Sequence, residues 1–271
     1  MTKQFSGAIV LAGGGKMGSA LLAGWLESGI EAADIHVIEP DANAAKRLAA
    51  LGVNVAPTAA GLPTGSETVI FAVKPQIMNE VVPQYVSLAS GDTPFLSIAA
   101  GCKISLFESH LGAVPVVRAM PNTPASIGLG MTVACANRQT SEAQRALCQR
   151  LLEAIGEVAW VEDEALMDAV TAVSGSGPAY VFLLIEKLAA AGVEAGLAPD
   201  LAMRLARATV RGAGELASRS DQAPDQLRVN VTSPGGTTAA ALDVLMAEDG
   251  LGALMKRAVM AATERSKALA G

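Results

Sequence analysis

The chain has 271 residues, 51% of them hydrophobic and 17% charged, with a net charge of -6. This length suits one large domain or two smaller ones, and the composition excludes a disordered chain. The acidic balance without a Lys/Arg block argues against nucleic acid or an anionic membrane as partner, and three scattered cysteines exclude a disulfide framework or a zinc cluster and fit a reducing cytoplasm.

The opening MTKQF runs straight into AIVLAG without the apolar leader and cleavage site of a signal peptide, so the N-terminus reads as the start of a domain. Residues 8–12 read as a strand. Residues 16–27 read as a helix with Met17, Leu21, Leu22, Trp25 and Leu26 along one side. A second strand over 35–38, a helix over 42–51 and a short third strand over 53–55 follow. TVIFAV at 68–73 is a fully apolar strand, 77–88 reads as one helix, and 95–99 and 114–118 are further strands. Such alternation implies crossover connections and a parallel sheet. Residues 131–136 add a strand, 142–155 a helix and 157–161 a last strand.

Beyond 161 no strong strand pattern occurs, and helices are predicted over 162–172, 178–195, 199–218 and 239–269, the last interrupted near Asp249 and Gly250. The expectation is α/β overall: a Rossmann-type parallel-sheet domain over 1–161 and an all-helical domain over 162–271. Helix 178–195 opens on Pro178 at its first position, and its apolar residues cover most of the circumference. A helical domain of ~110 residues with such a helix needs a second subunit to cover it, so it is expected to dimerise. The apolar stretch at 180–193 is broken by Glu186 and Lys187 and reads as too short and too charged to span a bilayer.

The first strand leads into Gly13-Gly14-Gly15-Lys16-Met17-Gly18, a GxGxxG turn between strand and helix. Gly13 permits the tight turn, Gly15 lets a pyrophosphate approach, Gly18 lets the helix lie close, and the helix N-terminus offers amides to phosphate. Glu39 closes the second strand about twenty residues on, where an acid accepts from a ribose 2′-OH and favours NAD(H). A solvated turn residue is the plainer reading of Glu39, and Lys46 and Arg47 on the next helix could serve the 2′-phosphate of NADP(H). Lys74 ends one strand, where it can meet phosphate or carboxylate. Ala99, Ala100 and Gly101 end the next with small residues that admit a flat nicotinamide. Asn122 ends another, where it can bond the carboxamide. For each of these alone, ordinary loop chemistry fits as well.

No acid or base stands ready. His36 lies within a strand and His110 on a short helix, away from the glycine-rich loops. SGSGP at 174–178 resembles the loop of β-hydroxyacid dehydrogenases, but Val181 and Leu184 stand where their catalytic Lys and Asn belong. Reduction of a protonated C=N bond needs neither group, because the iminium carbon is already electrophilic and orientation is the main requirement. TSPGGTTAAAL at 232–242 suits that chemistry. Gly235, Gly236 and Thr237 offer backbone amides to a carboxylate at a helix start, and the Thr238 hydroxyl can meet a neighbouring ring nitrogen. An ordinary helix start, with Ser233 as N-cap and Pro234 at the first position, competes, and composition favours it.

GGGKMG, FAVKPQ, SIAAG, RAMPNTPA, SGSGPAY and, most specifically, VTSPGGTTAAAL resemble the pyrroline-5-carboxylate reductase family over essentially the whole chain. The resemblance implies reduction of 1-pyrroline-5-carboxylate to L-proline with NAD(P)H, no metal, and a cytoplasmic homodimer or ring of dimers built by the helical half. It implies backbone donors to the substrate carboxylate at Gly235, Gly236 and Thr237, and a catalytic hydrogen bond from Thr238 to the pyrroline nitrogen. Asn230 and Asp221 are placed near the same pocket. Gly13, Gly15, Lys16, Met17, Gly18, Ala72, Val73, Lys74, Pro75, Ala99, Ala100 and Gly101 would line the cofactor. Two departures stand out: Glu39 opposes the NADPH habit of the family, and Thr58-Ala59 stands where an Asn often follows the third strand. A reductase of another cyclic imine acid and a non-catalytic dinucleotide sensor are the competing readings. A sensor has no need of a carboxylate loop.

Overall fold

The structure is a computed structural model describing residues 7–89 and 91–269. Its sheet holds β1 (Ile9–Ala12), β2 (Ile35–Ile38), β3 (Asn54–Ala56), β4 (Thr68–Phe71), β5 (Phe95–Ser97), β6 (Val116–Met120), β7 (Gly130–Ala136) and β8 (Gly156–Trp160). Strand order is β3-β2-β1-β4-β5-β6-β7-β8. The pairs from β3 through β6 are parallel, with Ile9 of β1 opposite Ile35 of β2 and Thr68 of β4. β7 runs antiparallel to β6, and β8 is parallel to β7. The sheet is thus dominated by parallel pairs, as the Rossmann-type expectation has it, with β6–β7 the one antiparallel pairing among the described residues. The link from Met120 to Gly130 holds only a short 3₁₀ turn, too little chain for a crossover.

Alternation along the strands feeds two cores. Ile9 and Leu11 of β1 face α1 (Lys16–Glu27) and α5 (Glu142–Glu153) in a core holding Leu21, Leu22, Trp25, Leu147 and Leu151. The Trp25 indole N–H donates to the Leu151 carbonyl at 2.8 Å, so a fully buried polar atom is satisfied while the ring joins the two helices. Val10 and Ala12 point the other way, into a core with Phe71, Tyr85, Phe95 and Phe107. α2 (Ala42–Ala49) is capped by the Asp41 side chain. The expected single helix over 77–88 is instead a 3₁₀ turn (Pro75–Ile77), a one-turn α3 (Met78–Val81) and a 3₁₀ stretch (Val82–Leu88). Pro83 lacks an N–H and crowds the preceding turn, which breaks the α-helical ladder there. α4 (Ile104–Leu111) packs against β6 and the 3₁₀ stretch over 82–88.

The described residues pack as two compact units. One holds the sheet, the chain up to Gly175 and the residues from Thr263 onward; the other is Ser176–Ala262. The packing boundary thus falls at Gly175, beyond the Val161 expected from the end of the strand pattern. The intervening chain, with a 3₁₀ turn (Glu164–Leu166), α6 (Met167–Val170) and a π-turn (Thr171–Gly175), is fastened to the sheet. Met167 is fully buried in the second core, and Ser266 donates to Asp168 at 2.6 Å within the same unit.

The other unit contains α7 (Gly177–Glu194), α8 (Pro199–Arg219), α9 (Pro224–Asn230), α10 (Thr237–Leu245) and the start of α11 (Leu251–Leu269). α9 was not foreseen. It is short and polar, with Pro224 at its start and no apolar face to betray it. Small residues let α7 and α8 approach: a Cβ added at Gly192 would lie 3.3 Å from that of Ala202. Most large apolar side chains of α7, among them Phe182, Leu183, Leu184 and Leu188, are exposed instead. The helical pieces from 164 to 194 contain an 18-residue window with mean hydropathy 1.3, long and apolar enough to cross a membrane by length and composition alone. This corrects the expectation of a stretch too short to span, because the helical pieces begin well before Tyr180.

Candidate cofactor edge and carboxylate seat

The carboxyl ends of β1, β2, β4 and β5 gather most of the expected cofactor residues on one edge. Gly13 turns the chain with φ 99°, and its N–H donates to the Ile38 carbonyl at 2.9 Å. Gly18 lies against it, where an added Cβ would sit 2.2 Å from the Gly13 oxygen, whereas a Cβ on Gly15 would meet nothing within 4 Å. The crowded glycines serve packing, and the uncrowded one leaves room for a ligand. Gly15 is the N-cap of α1 without a side-chain cap, and the first turn carries no acid. Among the described residues, the N–H groups of Lys16, Met17 and Gly18 have no acceptor. This open, uncapped turn fits a dinucleotide pyrophosphate.

Ala72 and Val73 back the turn: a Cβ on Gly13 would meet Val73 Cγ1 at 2.8 Å and the Ala72 carbonyl at 2.9 Å. Lys74 and Pro75 follow, both exposed. The Ile98 N–H donates to the Phe71 carbonyl at 3.1 Å, which brings buried Ala99, exposed Ala100 and Gly101 beside the 72–75 loop. Glu39 is not a solvated turn residue. Its Oε2 accepts from the Gly14 N–H at 2.9 Å and its Oε1 from the Asp41 N–H at 3.0 Å. The carboxylate is thus fixed at the mouth of the glycine turn, while Lys46 and Arg47 are exposed on α2.

Asn122 serves the fold. Its Oδ1 accepts from the Met131 N–H at 2.9 Å, and its Nδ2 lies 3.3 Å from Ser174 Oγ and 3.4 Å from the Ser174 carbonyl. The side chain ties the β6–β7 link to the SGSG segment. Of the histidines, His36 lies on β2, and His110 Nε2 meets Asn79 Oδ1 at 3.1 Å. Neither is on a ligand loop.

The residues expected to seat a carboxylate lie in the second unit. Gly235 adopts φ 68°, and the Gly236 N–H donates to the Ser233 carbonyl at 3.0 Å, closing a turn. α10 starts at Thr237 with Gly236 as an N-cap that has no side-chain bond. The expected ordinary start, with Ser233 capping and Pro234 at the first helical position, is therefore wrong: Ser233 acts through its carbonyl and the helix begins later. The Gly236 amide is also already engaged, which removes it from the expected donor set. Among the described residues, the amides of Gly235, Thr237 and Thr238 have no acceptor. Asn230 ends α9; its Oδ1 accepts from Gln226 at 2.9 Å and its Nδ2 donates to Gln222 at 2.8 Å. Asp221 is exposed in the loop after α8.

Sequence reasoning passed over Arg118 and Glu164. The signal was an arginine inside the apolar strand VVRAM, which demands a carboxylate from elsewhere in the chain.

A bare glycine turn beside β1, where the strand order reverses between β2 and β4, marks a dinucleotide-dependent oxidoreductase. In keeping with that class, residues 8–101 match the family described as NADP oxidoreductase, coenzyme F420-dependent. Residues 164–269 match the pyrroline-5-carboxylate reductase dimerisation family. The pyrroline-5-carboxylate reductase of Pseudomonas aeruginosa is 40% identical over 97% of this chain and 96% of its own. The solved reductase of Coxiella burnetii shares 34% identity at a TM-score of 0.94, covering 98% of this chain and 100% of the other. The Plasmodium falciparum pyrroline carboxylate reductase, solved with NADP bound, shares 31% at 0.82, covering 97% and 98%. The chain belongs to the pyrroline-5-carboxylate reductase family, as its motifs led one to expect.

Proposed function

We propose that this chain reduces the C=N bond of 1-pyrroline-5-carboxylate to give L-proline, the last step of proline synthesis, in the cytoplasm and as a homodimer or ring of dimers. The single observation that carries the reading is the uncapped start of α10, whose Thr237 and Thr238 amides have no acceptor among the described residues. Those amides and that of Gly235 hold the substrate carboxylate, helped by the positive end of the helix. Thr238 Oγ1 bonds the ring nitrogen, orienting the ring and stabilising the amine as it forms. The substrate nitrogen arrives protonated, so no side chain has to deliver a proton. Asn230 and Asp221 border this seat.

The reduced nicotinamide supplies the hydride when bound. Lys16, Met17 and Gly18 offer amides to its pyrophosphate. Ala72, Val73, Lys74 and Pro75 form one wall of its groove and Ala99, Ala100 and Gly101 another. We divide the roles at Val161, with cofactor binding before it and substrate binding and dimerisation after it. NADH stands ahead of NADPH, because the fixed Glu39 carboxylate accepts from a 2′-OH and repels a 2′-phosphate. The test is loss of nicotinamide absorbance on adding pyrroline carboxylate, with proline identified as product. No oxidation of either nicotinamide would end the reading.

A further inference from the structure

Glu164 lies outside every loop assigned to a ligand, yet its Oε1 accepts two hydrogen bonds. One comes from the Ile104 N–H at 2.9 Å, the other from Arg118 Nη1 at 2.8 Å. Arg118 sits within β6 at 4% exposure. A guanidinium cannot shed its charge, so burial there demands this carboxylate. Ile104 is the first residue of α4, and Lys103 before it has no acceptor to cap the helix. Glu164 therefore takes the N-cap role from a distant part of the chain and places negative charge at the positive end of α4.

The consequence falls on the loop between β5 and α4, which contains Ala99, Ala100 and Gly101. Its start is pinned by the Ile98 bond to Phe71, and it passes through a left-handed Gly101 at φ 75°. Its end is pinned by Glu164. Glu164 is itself held in register: Asp163 Oδ1 accepts from the Ala165 N–H at 2.8 Å, and Met167 beyond it is fully buried. We infer that Glu164 is a positioning residue for the nicotinamide cofactor, fixing the 99–103 loop through the Ile104 amide. This rests on the reading, made above, that the loop lines the nicotinamide.

Removing Glu164 alone strands a buried arginine, so the comparison uses two variants without that charge. In Arg118→Met/Glu164→Gln the side-chain carbonyl still accepts from Ile104; in Arg118→Met/Glu164→Ala nothing does. Binding of NADH and NADPH is read by nicotinamide fluorescence, apart from turnover. The Gln variant is expected within about threefold of wild type. The Ala variant is expected to bind about five- to tenfold more weakly, the scale of one lost cap. The KM for pyrroline carboxylate should be equal in the two. Equal cofactor affinity in both variants, with only melting temperature lowered in the Ala form, overturns the proposal. Should the Ala variant fail to fold, hydrogen exchange on the wild type decides: a protected Ile104 amide without cofactor, gaining protection across 99–104 on binding NADH, supports it, and a freely exchanging Ile104 overturns it. A wild-type protein that binds no nicotinamide dinucleotide overturns the proposed function itself, and Glu164's role with it.

Discussion

Thr238 is one of two hydroxyls, with Thr237, that α10 offers at its uncapped start, and Thr238 is the one assigned to the ring nitrogen. If it meets the ring nitrogen, Thr238→Ala lowers kcat by ~10-fold to 10³-fold, the range of one lost transition-state hydrogen bond. Thr238→Ser retains most of the rate, because the hydroxyl survives. Melting temperature should hardly move in either, since Thr238 is only half-buried. Glu39 calls for a gentler change, because two backbone amides depend on it. Glu39→Gln keeps an acceptor for the Gly14 N–H but turns its NH2 toward the Asp41 N–H, so it removes the charge together with that one exposed bond. The ratio of kcat/KM for NADPH over NADH should rise about fivefold, the ~1 kcal/mol of one exposed charge interaction; an unchanged ratio would make Glu39 a brace of the turn and nothing more. The cysteines give a pH prediction. Burial pushes the Cys148 thiol up to about 12 and Cys135 to about 11, and raises Cys102 as well. A raised thiol stays protonated in the fold after the unfolded chain has begun to ionise near pH ~8.5. The unfolded state then binds fewer protons, so the contribution is intact below that pH and is lost as pH climbs towards the folded values. Urea midpoints should fall steadily from about pH 8.5 upward, with Cys148→Ala flattening the slope.

Elements were legible where a single periodicity governed them. α1 begins and ends where the spacing of Leu21, Leu22 and Trp25 predicts, because its buried stripe and its glycine turn agree. The helix expected over 77–88 failed at Pro83, whose missing N–H a hydropathy pattern cannot register. α9 escaped because PDQLRVN buries nothing in this chain. The candidate site divides in the same way. The glycine turn was readable because its requirements are local. Asn122 and Glu164 were not, since their partners Ser174, Ile104 and Arg118 lie far along the chain. The Gly236 amide was misjudged because a turn bond to Ser233 has no signature in composition. A prediction belongs to the β1–α1 join. Gly18→Ala places a methyl carbon 2.2 Å from a backbone oxygen that cannot rotate away. The helix must lift off the strand, at a cost of about 1–3 kcal/mol in denaturant unfolding. Cofactor affinity should fall with it, whereas Gly15→Ala, with nothing within 4 Å, should weaken cofactor binding without lowering the unfolding midpoint.

The whole molecule is governed by apolar surface that one chain cannot cover. On α7, Phe182 is 63% exposed and Leu183 and Leu184 are each 52% exposed, while along α7 and α8 the buried residues are only Ala189, Ala202 and Ala206. Helices with so little interior of their own need a partner surface, and continuous apolar patches of this kind mark interfaces. A second copy and a lipid bilayer are both chemically able to cover them, given the apolar window within 164–194. The family match over 164–269 is to a dimerisation region, which favours the second copy. The wild type should therefore sediment as a dimer or a multiple of it in detergent-free buffer, with a melting temperature that rises with protein concentration. Phe182→Glu/Leu183→Glu places charge on that surface and should yield monomer with a lowered melting temperature. Glu186→Gln, a neutral exchange on the same helix, should leave the assembly intact. A wild type that sediments as a stable monomer, or enters solution only with detergent, would assign this surface to something other than a second copy of the chain.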